Sequence, residues 1–157
     1  MHGCKCGFYG DATRECRCTP GQIQQYLGKI SGPLLDRIDI HVEVPAVPYQ
    51  ELRGGGAAES SAAIRERVEA ARAVQQRRGY YNARMPSREI RKECALDASG
   101  ERTLEMAVRR MGLSARAHDR ILKVARTLAD LGGSEAVVAK HVAEAVQYRS
   151  LDRNYWT

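Results

Sequence analysis

Hydrophobic and polar residues alternate with a period of two in one short stretch of the chain, residues 38–44. The apolar members of this alternation are Ile38, Ile40, Val42 and Val44. The pattern is typical of a half-buried β-strand. A lone strand cannot satisfy its own backbone hydrogen bonds, and no other stretch of the sequence shows a convincing alternation. We therefore expect this strand to belong to a sheet whose other members lie outside these 157 residues.

From residue 59 onward the apolar residues follow helical spacing instead. The first such series is Ile64, Val68, Ala71 and Val74, whose steps of four, three and three place them on one helical face. Further series predict four more helices. One covers residues 87–95, the next ends at Gly112, the third runs from Ser114 to Gly132, and the last begins at Ser134. These helices together predict a compact bundle of four or five members, with His118 and His141 on helix surfaces.

Changes in composition divide the chain into four parts. Residues 1–53 hold a polar loop rich in Gly and Cys, a short helix and the strand, and the Gly-rich residues 54–58 form a linker. Residues 59–150 form the helical bundle, and residues 151–157 are a C-terminal tail. The predicted fold class is mainly α.

The sequence gives an expectation for where in the cell the protein is found. No apolar run approaches the roughly 20 residues that span a bilayer, and the first residues lack the pattern of a signal peptide. We expect a cytoplasmic protein with no membrane partner.

The net charge of +6 is unevenly distributed. Residues 1–58 contain six basic and six acidic residues, whereas residues 59–157 contain nineteen basic and thirteen acidic residues. The excess positive charge of residues 59–157 could bind a polyanion such as nucleotide or DNA. It could equally belong to the solvated surface of Arg-rich helices.

Four cysteines near the N-terminus form two close pairs. Cys4, Cys6, Cys16 and Cys18 have the spacing C-x-C-x9-C-x-C. Four thiolates can bind zinc tetrahedrally and so stabilise a polar loop, although C-x-x-C is the more usual spacing. Disulfides and free thiols remain as alternatives. Cys94 lies within a helical pattern and is expected in the core.

Two arginines are candidates for phosphate contacts. Arg37 follows a Pro-containing turn just before the strand, where its planar guanidinium could be held outward. It could equally form an ion pair with Asp36 or Asp39. Arg116 lies in the first turn of a predicted helix, where free N–H groups favour an anion, although an exposed surface arginine has the same pattern.

Motifs for independent catalysis are missing from these 157 residues. There is no G-x-x-x-x-G-K-[ST] loop, and no hydrophobic run ends in paired acids that could bind magnesium. We expect that the chain does not hydrolyse ATP alone.

Four stretches together resemble one family, the magnesium-chelatase-like AAA+ ATPases of the YifB/ComM type. They are CKCGFYGDATRECRC, ISGPLLDRIDIHVEVP, GLSARAHDRILKVARTLADL and HVAEAVQYRSLDR. They occur in the order of the family and extend over essentially the whole chain.

The resemblance implies a remnant of the α/β AAA+ core, including its last strand, followed by a helical lid. It implies that Arg37 is an arginine finger acting in trans and that Arg116 is the sensor-2 residue. It further implies that ATP and Mg²⁺ bind only in the full-length protein, which would be a hexamer that remodels DNA by branch migration.

The sequence departs from the family at its start, where the family has M-N-P-C-P-C-G and this chain has MHGCKCG. The family has Asn as its sensor-1 residue, and this chain has His2 at that position. An alternative function from another class is an independent basic helical module that binds DNA or another protein.

Overall fold

The computed structural model describes residues 2–11, 13–44, 47, 49, 53 and 59–149. The chain divides into two compact units. The first comprises Met1–Ile38 with Val42–Ala57, and the second comprises Asp39–His41 with Ala58–Thr157. The linker at 54–58 and the tail at 151–157 lie outside the described residues, and the domain boundaries remain a prediction.

The first unit contains two short helices among its described residues. Helix α1 spans Pro20–Leu27, and Thr19 caps it by accepting a hydrogen bond from Gln22 N at 3.4 Å. The Gln22 side chain accepts one from Thr19 N in return, which completes a capping box. Helix α2 spans Gly32–Leu35 and buries Leu35.

The strand predicted over residues 38–44 is not formed. These residues have no strand assignment, and no strand occurs in the part of the chain that is described. Ile40, Val42 and Val44 are 49%, 63% and 84% exposed. The strand prediction was wrong for this chain, because a strand exists only when neighbouring strands provide its hydrogen bonds.

The second unit is a helical bundle, as predicted. Its described helices are α3 Ser61–Arg77, α4 Ser87–Glu93, α5 Ala98–Met111, α6 Ala115–Leu131 and α7 Ala139–Gln147, with a 3₁₀ turn at Asn82–Arg84 between α3 and α4. Helix α6 contacts α3, α4, α7 and the 3₁₀ turn, and α5 packs on α7. The chain is mainly helical, which confirms the predicted fold class.

Local capping residues determine where these helices begin and end. Ser60, Asp97 and Ser114 each accept a hydrogen bond from the backbone N–H three residues later, at 3.2, 2.7 and 3.1 Å. Gly112 ends α5 with φ of 61°, a left-handed conformation that favours glycine. These signals are all visible in the sequence.

The core of the bundle consists of aliphatic and sulfur-containing side chains. Its buried members are Met85, Ile90, Cys94, Leu104, Ile121, Leu122, Ala125, Ala129, Val137, Val142 and Ala145. Cys94 is therefore a core residue, as predicted, and its thiol lies 3.9 Å from the sulfur of Met85.

Three details of the bundle differ from the sequence prediction. Ile64 and Val68 are exposed, because the first half of α3 extends beyond the packed part of the bundle. The last helix begins at Ala139 rather than at Ser134. His141 is buried rather than on the surface; its Nδ1 accepts a hydrogen bond from Val138 N at 3.2 Å, and burial lowers its pKa.

A carboxylate, Asp130, lies fully buried in the second unit. It accepts hydrogen bonds from Arg78 Nη1 at 2.9 Å, Asn82 Nδ2 at 2.8 Å and Arg126 Nε at 3.1 Å. Burial acts to raise the pKa of Asp130, but the hydrogen bonds from Arg78 and Asn82 and the charge of Arg126 outweigh it, so the pKa is lowered. The carboxylate thus joins α3, the 3₁₀ turn and α6.

The buried Arg126 extends this network to the loop before α7. Its Nη1 donates to Glu135 O at 2.7 Å, and its Nη2 donates to Ser134 O at 2.5 Å. These two carbonyl groups are therefore held by a side chain of α6, which explains why α7 does not begin at Ser134.

None of the helices described is both long and apolar enough to cross a membrane.

Candidate functional site

The four N-terminal cysteines converge in the first unit. Their sulfur atoms all lie within 4.8 Å of one another. Cys4 Sγ lies 3.3 Å from Cys6 Sγ and 3.7 Å from Cys16 Sγ, and Cys6 Sγ lies 3.6 Å from Cys16 Sγ. All four thiols are free of disulfide bonds.

The loop between the two cysteine pairs has turns that bring the pairs together. Gly7 and Gly10 have φ of 87° and 82°, values that residues other than glycine rarely adopt. Gly7 N donates a hydrogen bond to Cys4 O at 3.2 Å. Asp11 Oδ1 accepts hydrogen bonds from Thr13 N and Thr13 Oγ1, both at 2.7 Å, and these lower the pKa of Asp11. The chain can therefore reverse within nine residues.

The environments of the thiols differ. The backbone N–H of Phe8, followed by the Cys4 thiol, lowers the pKa of Cys6 to about 6. Although the backbone N–H of Cys18 lowers the pKa of Cys16, burial and the Cys6 and Cys4 sulfurs raise it to about 12.

This donor set fits a tetrahedral zinc ion. At a Zn–S distance of about 2.3 Å, neighbouring sulfurs of a tetrahedral site are about 3.8 Å apart. The three distances among Cys4, Cys6 and Cys16 are 3.3–3.7 Å, and the Cys18 sulfur lies within 4.8 Å of the other three. A disulfide would require about 2.05 Å.

Arg37 lies two residues after the end of α2 in the first unit. Its backbone N–H donates to Leu34 O at 3.0 Å, which continues the turn of the helix. The side chain is exposed and makes no hydrogen bond or ion pair with any described residue. Asp39, which the sequence offered as an ion-pair partner for Arg37, pairs with Arg120 in the second unit.

Arg116 lies in the first turn of α6 and is exposed. It lines an open groove of the second unit with a volume of about 390 Å³, within the range of small-molecule sites. The other lining residues are Asp39, Ala83, Ser87, Ala115, Asp119, Arg120 and Lys123.

The groove contains three cationic side chains from one face of α6. Arg116, Arg120 and Lys123 are spaced at i, i+4 and i+7, which aligns them along the helix. Lys123 Nζ donates to Ala83 O at 3.4 Å. Arg120 forms an ion pair with Asp39, and its Nε is buried without a hydrogen-bond partner among the residues described. The groove therefore has donors that an anion could satisfy.

The sequence prediction missed Arg120 and Lys123, although their spacing from Arg116 in a predicted helix was visible. It could not have predicted that Asp39 lines this groove and pairs with Arg120, because the two residues are 81 positions apart in the sequence. The predicted site residues thus separate into the cysteine cluster and Arg37 in the first unit and Arg116 in the second.

Two family models match this chain. The family model of magnesium chelatase, subunit ChlI, matches residues 1–52, and the model of its C-terminal domain matches residues 58–149. The chain belongs to the magnesium chelatase family. The predicted resemblance is thereby confirmed, and the bundle is the lid-like helical domain of this family.

Within the magnesium chelatase family, the chain is similar to proteins of the ComM and YifB type. It is 45% identical over 139 residues to Competence protein ComM of Haemophilus influenzae and to the uncharacterised protein YifB of Escherichia coli. It is 34% identical over 145 residues to an uncharacterised protein of Mycobacterium tuberculosis. Each alignment covers 87% of this chain but only 27–28% of the relative.

Proposed function

We propose that this magnesium chelatase family chain is the C-terminal part of a ring-forming AAA+ ATPase and supplies two arginines for ATP hydrolysis. Arg116 would contact the phosphates of the nucleotide in its own subunit, as sensor 2. Arg37 would act as an arginine finger on the nucleotide of the neighbouring subunit. The observation that carries this proposal is the groove of Arg116, Arg120 and Lys123 at the start of α6.

The groove has the chemistry of a phosphate site. The N–H groups in the first turn of α6 and the helix dipole favour negative charge. Arg116 adds a permanent charge there, so in the absence of an anion this cation faces the positive end of the helix. Arg120 Nε has no hydrogen-bond partner among the described residues. It is a further donor for an anion, because a buried polar group without a partner is costly.

Arg37 supports the second part of the proposal through its exposure. An exposed guanidinium two residues after a Pro-stiffened helix can reach another subunit without first breaking an ion pair with a described residue. A guanidinium supplied in trans stabilises the charge that spreads over the phosphate oxygens during transfer. Hydrolysis would then depend on assembly of the ring, for which the family resemblance implies a cytoplasmic hexamer.

Mixing experiments test this proposal. We expect the chain alone to show no ATP hydrolysis, because its sequence contains no phosphate-binding loop. Adding a protein that carries the N-terminal part of a ComM-like relative, together with Mg²⁺, is expected to restore turnover. Turnover by the isolated chain, or a mixture that associates but remains inactive, would contradict the proposal.

The substrate of the proposed motor is DNA. One relative is named a competence protein, and the family resemblance implies branch migration rather than insertion of magnesium into a porphyrin. ATP and Mg²⁺ would be bound largely by other parts of the longer protein.

Cys4, Cys6, Cys16 and Cys18 are further proposed to hold a structural zinc ion. The sulfur distances and the absence of disulfide bonds among these cysteines support this assignment. Four thiolate ligands leave no position open for substrate, so the ion would stabilise the loop rather than take part in hydrolysis.

Replacing Cys16 with serine is expected to abolish tight zinc binding, because one of four ligands is removed. Metal analysis of the purified chain should give one zinc per wild-type molecule and much less than one for Cys16→Ser. Cys94→Ala removes a buried thiol from the core of the bundle and should retain the full zinc content. Equal zinc in Cys16→Ser and wild type, or none in either, would refute the assignment.

A further inference from the structure

Positive charge is concentrated in one segment of the second unit that the proposed ATPase function does not use. Residues 72–93 contain seven basic residues and two acidic ones, a net charge of +5 within a chain of net charge +6. Arg78 is held by Asp130 inside the bundle. The remaining six basic residues are exposed, namely Arg72, Arg77, Arg84, Arg88, Arg91 and Lys92.

An aromatic residue lies in the middle of this basic segment. Tyr81 is 40% exposed. The guanidinium carbon of Arg72 lies 5.6 Å from the centre of its ring, and its hydroxyl accepts a hydrogen bond from Gln76 Nε2 at 3.2 Å. Arg84 N donates to Tyr81 O at 2.8 Å, and Arg84 is the last residue of the 3₁₀ turn that follows Tyr81. We call Arg72, Gln76, Tyr81 and Arg84 the Tyr81 surface.

The Tyr81 surface is anchored by the buried network next to it. Asn82, which follows Tyr81, donates through its backbone to Gln75 Oε1 at 3.1 Å and through its side chain to Asp130 at 2.8 Å. Both Asn82 and Gln75 are buried. The aromatic ring is therefore carried on a fixed turn, which lowers the entropic cost of binding a ligand.

We propose that the Tyr81 surface binds single-stranded nucleic acid, with a base stacked on Tyr81 and backbone phosphates near Arg72 and Arg84. Aromatic rings flanked by cations are the usual means by which proteins bind unpaired strands, because each base has a face that can stack. A duplex offers no free base face, so the ring favours the single strand. Glu69 lies one turn before Arg72 on α3 and limits the basic area on that side.

This inference rests on the proposal that the longer protein acts on DNA, and it names the surface and strand form involved. It can fail separately from the ATPase proposal. Tyr81→Leu should leave basal ATP turnover of the reconstituted mixture unchanged in the absence of DNA, whereas Arg116→Ala should lower it.

The first test measures binding of the full 157-residue chain to a fluorescein-labelled 20-nucleotide oligo-dT by anisotropy at low salt. Tyr81→Leu is expected to weaken binding about 10-fold, within the range for loss of one stacked base. Tyr81→Phe retains the ring and should bind within about 2-fold of wild type, since only the hydroxyl is removed. Affinity for heparin, a polyanion without bases, should be the same for Tyr81→Leu and wild type.

The second test measures the salt dependence of oligo-dT binding. The double variant Arg72→Gln/Arg84→Gln should lower the slope of log K against log salt concentration by about 1.4, at about 0.7 for each phosphate that is no longer neutralised. The matched control is Arg102→Gln/Arg110→Gln, which removes the same charge from exposed positions on α5. The control should change the slope much less.

Three results would overturn the proposal. They are equal oligo-dT affinity of Tyr81→Leu and wild type, equal effects of the two double variants, and no binding to oligo-dT at low salt. Thermal unfolding followed by circular dichroism establishes that each variant is folded. If Tyr81→Leu does not fold, Tyr81→Phe and the two double variants still decide the question.

Discussion

In the proposed ring-forming ATPase, Arg37→Ala is expected to lower the rate of ATP hydrolysis about 10³-fold or more, because an arginine supplied in trans contributes about 10³–10⁵ in rate. Arg116→Ala should also abolish most turnover. Neither side chain is buried or paired with a described residue, so both variants should fold normally. Steady-state ATPase assays measure the effect, with Arg17→Ala and Arg110→Ala as controls that remove exposed arginines from the same two units.

Mixed rings distinguish the two roles. Subunits carrying Arg37→Ala retain their own nucleotide site, and subunits with a disabled phosphate-binding loop retain their finger. Mixing them should restore part of the activity, because a finger acts on the neighbouring subunit. Mixing Arg116→Ala with the same loop-disabled subunit should restore none, because sensor 2 acts within its own subunit. Full activity of either single variant, or the reverse pattern of rescue, would contradict the assignments.

The isolated chain should lose about 3–5 kcal/mol of stability when Asp130 is replaced by alanine. Removing one partner of a buried ion pair leaves an uncompensated charge, and this typically costs that amount. Here both Arg126, which is 2% exposed, and Arg78 would lose their shared carboxylate. The cost is a large part of the total stability of an ordinary domain, about 5–15 kcal/mol. Urea unfolding of the chain, followed by circular dichroism, measures this loss.

Glu105→Ala provides a matched control for this variant. Glu105 and Arg109 also form an ion pair four residues apart on one helix, but their side chains are 58% and 80% exposed. An exposed pair of this kind contributes about 0–1 kcal/mol. Similar losses for Asp130→Ala and Glu105→Ala would show that the buried network does not hold the bundle together.

The pH dependence of the Asp130 effect has a defined sign. The pKa of Asp130 is lowered in the folded chain. Its contribution to stability is therefore fully present above the unfolded pKa of about 3.9 and is lost as the pH falls through the folded value. The difference in stability between wild type and Asp130→Ala should narrow at acid pH, and a constant difference would contradict the lowered pKa.

Features that depend on neighbours in sequence could be predicted from the sequence. The starts of α3 and α6 follow from Ser60 and Ser114, and the end of α5 follows from Gly112, because a cap or left-handed turn involves residues three or four positions apart. The convergence of the four cysteines also follows from close spacing and a glycine-containing turn. Arg116 could be assigned to a helix start for the same reason.

The sequence by itself determined the helical bundle, its capping residues and the family, because each depends on local spacing or on a linear match of residues. Only the tertiary structure decided that Ile38–Val44 forms no strand, that Asp130 joins Arg78 to Arg126, and that Asp39 pairs with Arg120. A strand requires hydrogen bonds from other strands, and a buried ion pair requires groups from distant parts of the chain. Tertiary packing brings such partners together, and the periodicity of apolar residues in the sequence does not predict which residues they are.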